Sequence, residues 1–157
     1  MQKITPFLWF DNQAEEAAKF YVSVFKNSKM GQVSRYGDGM PLPKGTVMTA
    51  AFEIEGQPYI ALNGGPEYKF TPAVSFVINC DTQKEIDYYW DKLSEGGEEG
   101  VCGWLKDRYG LSWQVVPEGW EEIAKDPNPR KAEAAMTALF GMKKIDLAAI
   151  QAAVEQA

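Results

Sequence analysis

One stretch of this 157-residue chain occurs twice, about seventy residues apart. Ile4-Thr5-Pro6-Phe7-Leu8-Trp9-Phe10-Asp11, with Gln13 and Glu15 opening a helix, is echoed by Val74-Ser75-Phe76-Val77-Ile78-Asn79-Cys80-Asp81, with Gln83 and Glu85. Each copy reads as an apolar strand, an acidic turn and a helix. Such a repeat predicts two similar modules packed around one site. The chain contains no histidine, so that site lacks the commonest general base and the commonest metal ligand.

A chain of this length is one domain, or two half-domains sharing a core. With 45% hydrophobic, 24% charged and 13% aromatic residues, it has the composition of a soluble globular protein. The net charge of −6 argues against nucleic acid as a partner, because no basic stripe exists to displace phosphate counterions. No apolar run approaches the roughly 18 residues of a membrane span, and the N-terminus lacks the basic-then-apolar pattern of a signal peptide. No membrane partner and a cytoplasmic location are the expectation. Cys80 and Cys102 are then reduced thiols, with Cys80 a small core residue at a strand end.

Hydrophobic periodicity places strand one over Ile4–Phe10, with Asp11 or Asn12 capping a helix whose buried face is Ala14, Ala17, Ala18, Tyr21 and Phe25. Lys29–Arg35 reads as a short strand. Tyr36–Gly45 is a loop, rich in glycine and proline. Val47–Ile54 and Gln57–Asn63 flank Glu55-Gly56, a hairpin turn signal. The second half opens with strand Val74–Cys80 and a helix over Gln83–Glu95, burying Ile86, Tyr89, Trp90 and Leu93, stopped by Gly96-Gly97. A second hairpin, Val101–Asp107 and Leu111–Val116, turns around Tyr109-Gly110. The link before it is short, so its opening strand is short or absent. Beyond Pro117 the pattern is helical: Trp120–Lys125, Arg130–Phe140 with Ala132, Ala135, Met136 and Leu139 on one side, and a last helix capped by Asp146 with Leu147, Ile150 and Val154. This gives module one over 1–66, module two over 67–117 and a helical extension over 118–157. The extension has no counterpart in the first half and is read as cover for a sheet edge or a partner subunit.

Several segments carry a family resemblance. They are the strand-one octet with Ala14-Glu15-Glu16-Ala17-Ala18-Lys19-Phe20-Tyr21, then Ala61-Leu62-Asn63-Gly64-Gly65-Pro66, Asp87-Tyr88-Tyr89-Trp90-Asp91-Lys92-Leu93, and the run from Cys102 through Asp107 and Gly110 to Gln114. Together with the tandem β-α-β-β-β pattern, they resemble the vicinal-oxygen-chelate, or glyoxalase/bleomycin-resistance, superfamily, and within it the PhnB-like branch labelled a demethylubiquinone-methyltransferase-type domain. The resemblance implies an α+β fold: tandem modules forming a curled, mixed or antiparallel sheet around a central cavity, plus the C-terminal helices. It also implies small-molecule binding and a homodimer. The branch label implies a methyltransferase, yet no glycine-rich loop follows a strand and opens a helix, the arrangement expected for an adenosyl cofactor. No cofactor is expected.

Metal-using members of the superfamily place His and Glu ligands on the first and last strand of each module. Along the repeated strands, Ile4, Pro6, Leu8 and Phe10, with Val74, Phe76, Ile78 and Cys80, form the apolar set suited to packing beneath helices. The opposite set, Thr5, Phe7 and Trp9 with Ser75, Val77 and Asn79, is more mixed, as a ligand-binding wall is. The first-strand ligand positions then fall on Thr5 and Ser75, and counting from the hairpin glycines puts Ile60 and Gln114 at the last-strand positions. A count off by one substitutes Ile4, Val74, Ala61 or Val115. None is an imidazole, thiolate or carboxylate, so no metal is expected. The expected pocket set is Thr5, Phe7, Trp9, Ile60, Ser75, Asn79, Trp104 and Gln114, with no catalytic residue assigned. Each has a plainer role as a strand or packing residue. Trp113 is one residue out of phase with Gln114 and faces away.

Other candidates stay open. Glu53 is a buried base or a solvated strand residue, and Asp107 is a hairpin residue. Cys102 is a nucleophile only if Lys106 or Arg108 activates it. The Tyr36–Gly45 loop is a lid, with Arg35 and Lys44 drawing an acidic ligand, or a plain connection. Besides metal-free binding, two other classes fit: a metal-dependent lyase, isomerase or dioxygenase whose ligands include Glu53 or Asp107, and a dimeric scaffold.

Overall fold

The repeated sequence builds a repeated topology. A computed structural model describes residues 2–157, and the chain divides into two compact units, the first closing at Phe70 and the second running from Thr71 to Ala157. The first contains β1 (Phe7–Phe10), α1 (Ala14–Val24), β2 (Ser28–Arg35), β3 (Val47–Ile54) and β4 (Gln57–Asn63). The second contains β5 (Ser75–Cys80), α2 (Gln83–Ser94), β6 (Glu98–Glu99), β7 (Trp104–Lys106) and β8 (Ser112–Pro117), then α3 (Trp120–Ala124), α4 (Pro129–Phe140) and α5 (Leu147–Glu155). Each unit has one four-stranded mixed sheet, ordered β1-β4-β3-β2 or β5-β8-β7-β6, and neither sheet closes into a barrel. In both, the first strand pairs parallel to the last, and the registers match: Phe7 lies beside Ile60 as Val77 lies beside Gln114. The fold is α+β.

Period-two burial separates the two faces of each sheet. Leu8, Phe10, Ala50, Phe52, Ile54 and Ala61 are buried under α1, which contributes Ala14, Ala17, Ala18 and Tyr21. Alanines bring the helix close, and the Tyr21 ring stacks 6.0 Å from Phe52, which stacks 5.2 Å from Tyr59. Fully burying one such aromatic stabilises the fold by about 1.5–3 kcal/mol. In the second unit Ile78, Cys80, Leu105, Trp113 and Val115 are buried, with Ile86, Trp90 and Leu93 of α2. Trp113 therefore lies on the helix side.

The structure corrects four boundaries. Strand one starts at Phe7, not Ile4, which is 80% exposed. Pro6 accepts one bond, from the Ile60 N–H at 3.0 Å, but has no N–H with which to extend the ladder. Val74 is likewise outside its strand and 65% exposed, its N–H turned back to Thr71 O. β7 starts at Trp104 instead of Val101, because Cys102 (φ 58°) and Gly103 (φ 82°) take left-handed backbone. Neither Asp11 nor Asn12 caps α1; Asn63 at the end of β4 does, its Oδ1 accepting the Ala14 N–H at 2.8 Å.

The first hairpin lies where its turn residues predict. Glu55 and Gly56 both have positive φ, the two-residue geometry whose twist matches that of the strands. In the extension, Asp146 caps α5 as expected, Oδ1 accepting the Ala149 N–H at 3.1 Å. The segment between α4 and α5 is tied to α2 and to the start of β7. Met142 and Lys143 carbonyls accept the Cys102 and Gly103 N–H groups at 2.9 Å each. Gln83 donates to Ile145 O at 2.9 Å and accepts from Leu147 N–H at 2.8 Å, and Lys144 Nζ lies 2.9 Å from Asp87.

Both thiols are free. Burial, reinforced by Glu85 and Asp81, pushes the Cys80 thiol up to about 12, so at neutral pH it is protonated as well as enclosed. Cys102 is only partly buried. A thiol reagent at neutral pH is expected to label Cys102 in the folded protein and Cys80 only after denaturation. Equal labelling rates by intact-mass spectrometry would contradict this packing.

Candidate functional site

The sheet face away from the helix carries the polar groups in each unit. In the first unit, Thr5, Ala51, Glu53, Pro58 and Ile60 line a hollow of about 270 Å³ that also touches Lys29, Met30 and Tyr59. Its pairs follow the register: Ala51 faces Ile60, and Glu53 faces both Pro58 and Lys29. Glu53 Oε2 lies 3.5 Å from Lys29 Nζ, with both side chains well exposed, so it is a solvated strand residue in an ion pair. Thr5 precedes β1 at the edge of this hollow, and Phe7 is 55% exposed on β1. Trp9 stands apart: its Nε1–H donates to Gly65 O at 2.9 Å, its ring meets Tyr68 edge-on at 5.0 Å, and a Cβ on Gly64 would come within 2.4 Å of the indole. Gly64 is required there by close approach.

The second unit repeats the pattern with different chemistry. Trp104 stands opposite Gln114 and Lys106 opposite Ser112, at the places held in the first unit by Ala51, Ile60, Glu53 and Pro58. Gln114 Nε2–H donates to Ser75 Oγ at 3.0 Å, so the two positions singled out in this module are brought together. Asn79 is exposed on β5 beside Val116 and makes no part of that pair. Ser112 is 1% exposed, and its hydroxyl has no hydrogen-bond partner among the described residues. A buried group left unpaired costs about 1–3 kcal/mol. Ser112 lines a hollow of about 160 Å³ with Pro72, Glu98, Glu99, Gly100, Trp104 and Lys106. Ser112 stands two residues before Gln114, on the same strand face, so the alternation that marks Gln114 also marks Ser112.

The remaining candidates have local roles. Asp107 is buried and engaged at both oxygens: Oδ1 accepts the Tyr109 and Leu111 N–H groups at 2.8 and 3.1 Å, and Oδ2 accepts Trp113 Nε1–H at 2.9 Å. Cys102 gives its N–H to Met142 O. Tyr36 is buried with its hydroxyl donating to Asn63 O at 2.7 Å; Arg35 donates to Gly45 O at 3.0 Å, and Lys44 pairs with Asp38 at 3.2 Å. The loop's own cations are thus turned on the loop's own acceptors.

The four positions that the superfamily resemblance implies for metal ligands, Thr5, Ser75, Ile60 and Gln114, carry two hydroxyls, an alkyl chain and an amide. Divalent first-row ions take imidazole, thiolate or carboxylate donors, and this set has none. Among the described residues no group of three His, Cys, Asp or Glu side chains is placed to hold a metal ion.

Fold and faces define a glyoxalase-like, vicinal-oxygen-chelate protein. The family described as 3-demethylubiquinone-9 3-methyltransferase matches residues 2–116, and the chain belongs to that family, the PhnB-like branch of the superfamily. Among solved structures, it is similar to a PhnB protein from Bacillus cereus, with 38% identity over 74% of this chain and 99% of that one and a TM-score of 0.68. Protein PA1353 from Pseudomonas aeruginosa shares the fold at 22% identity, covering 75% of this chain and 98% of that one, with a TM-score of 0.63. So does the fosfomycin resistance protein FosX from Listeria monocytogenes, solved with Mn(II) and sulfate, at 15% identity, 82% and 100% coverage and a TM-score of 0.55. No protein with a curated description matches. The family match stops at Val116, so α3–α5 lie outside it. No helix among the described residues is long and apolar enough to cross a membrane.

Proposed function

We propose that this protein binds a small, partly apolar molecule on the open face of its second module, without a metal ion, and acts by sequestering or transforming it. The observation carrying this reading is the Gln114–Ser75 hydrogen bond at 3.0 Å, an amide and a hydroxyl joined at two of the positions that the superfamily resemblance implies for ligands. The bond uses one amide hydrogen and one hydroxyl lone pair, leaving the Gln114 carbonyl oxygen and the Ser75 proton to meet a ligand. Trp104, opposite Gln114, adds an apolar wall of the kind small-molecule sites use. We also infer a cytoplasmic homodimer: two free thiols suit a reducing compartment, and subunit pairing is what the superfamily resemblance implies.

Calorimetric titration with Mn(II) is expected to show no stoichiometric binding; a micromolar site of one ion per chain would overturn the metal-free part. A thermal-shift screen of small neutral metabolites is expected to yield ligands that bind Gln114→Leu about fivefold more weakly, one hydrogen bond being worth about 1 kcal/mol. Hits indifferent to Gln114 would remove this face from the site.

A further inference from the structure

We propose that the hollow beside β7 is a subsite for a neutral, flat ring bearing a hydroxyl, the ring lying against Trp104 and its hydroxyl bonded to Ser112. This rests on the reading that the open face of module two binds a small molecule, and it names the ligand's chemistry. Ser112 is 1% exposed, its hydroxyl is unpartnered among the described residues, and it lines the hollow. Native proteins rarely leave a buried polar side-chain atom in that state without a reason. Period-two alternation puts its side chain on the same face as Gln114, opposite Lys106. The corresponding place in module one is Pro58, which offers no hydroxyl, so the feature belongs to one copy of the repeat only.

Size, shape and charge then narrow the ligand. At about 160 Å³ the hollow holds what several water molecules would fill, the room of a single ring. Trp104 and Pro72 are among its lining residues, side chains of the kind a ring stacks on well. Gly100 lets the chain pass close against β7, since a Cβ there would meet Trp104 O at 2.8 Å. Glu98 and Lys106 stand opposite each other across β6 and β7, and Glu99 accepts Trp90 Nε1–H at 3.2 Å. With Glu98, Glu99 and Lys106 the lining holds two carboxylates and one ammonium, an excess of negative charge that disfavours an anionic ligand.

Phenol and toluene have nearly one shape and differ by the hydroxyl, so they are the probes. Binding is read from the Trp104 indole N–H resonance, assigned with Trp104→Phe. Phenol is expected to bind better than toluene although water solvates it better, because toluene leaves Ser112 unpaired. In Ser112→Ala the preference should fall at least about fivefold, the worth of one hydrogen bond, with toluene binding unchanged. That variant is expected to melt no lower than the parent, since alanine removes an unpaired hydroxyl. An unchanged preference in Ser112→Ala, or a marked loss of its stability, would overturn the subsite while the metabolite hits dependent on Gln114 stand. If neither probe shifts Trp104, the subsite falls; if the screen also yields no ligand, the broader reading falls with it.

Discussion

Replacing Asp107 by alanine is expected to lower folding stability by about 3–5 kcal/mol, the largest effect of any single substitution considered for this protein. Three N–H groups lose their acceptor at once: the main chains of Tyr109 and Leu111, and the indole of Trp113. Trp113 and Leu111 are buried, so water reaches their donors poorly and the desolvation cost is felt in full. The carboxylate also shapes the turn. Gly110 N–H returns to Asp107 O at 2.9 Å and Asp107 N–H to Leu111 O at 2.9 Å, closing the hairpin that sets β7 against β8. With a denaturant dependence near 2 kcal/mol/M, the urea midpoint should drop by about 2 M. Asp107→Asn keeps an oxygen for the two main-chain donors but presents an amide to Trp113, and should lose about half as much. A midpoint shift under about 0.5 M for the alanine variant, read by tryptophan fluorescence, would show that the turn forms without this side chain. Because both oxygens are already engaged, Asp107 is a hairpin residue and not a free ligand for a cation.

Asn63→Ala is the second large expected loss, about 2–4 kcal/mol. Asn63 is 4% exposed, and its amide does two things at a distance. Oδ1 accepts the Ala14 N–H at 2.8 Å, and Nδ2–H donates to Val47 O at 3.1 Å. Alanine leaves the first turn of α1 without the Asn63 cap and the Val47 carbonyl at the start of β3 without its side-chain donor. The helix should fray from Ala14, with hydrogen exchange at the first-turn amides accelerating before that of β3 and β4. Asn63→Asp restores the acceptor, and a negative charge at a helix N-terminus is favourable, so it should recover part of the loss but not the bond to Val47. If Ala14 exchanges no faster in the alanine variant, the cap is supplied by something else.

The two substitutions mark how far local reasoning reaches. Asp107 was legible as a hairpin residue because the turn, Gly110 and Trp113 all lie within six positions of it. The β3–β4 hairpin was legible to the residue for the same reason: alternation and the Glu55-Gly56 turn need no distant partner. Asn63 was not, since its partner at Ala14 is 49 positions away, and Asp11 and Asn12 were the nearer choice. Strand one was read too long because its apolar alternation continues through Ile4, while the parallel ladder from β4 ends at Pro6.

Of the candidate site, Ser75 followed from the repeat and Gln114 from the hairpin count; the bond that joins them belongs to the register of β5 on β8, which sets Ser75 beside Ser112 and Val77 beside Gln114. Burial did not follow. Ser112 and Glu53 are both strand residues one step along from their module's last-strand or hairpin partner, yet one is enclosed and unpaired and the other solvated and paired.

Periodicity and turn chemistry, both properties of neighbouring residues, were enough to specify the tandem α+β modules and which face of each sheet lies under its helix. Which hydroxyl lost its water, which asparagine capped a helix and which carboxylate was engaged at both oxygens depended on groups far apart in the chain. Desolvation and hydrogen-bond pairing belong to the packed surroundings of an atom, and those exist only once the sheets and helices have met.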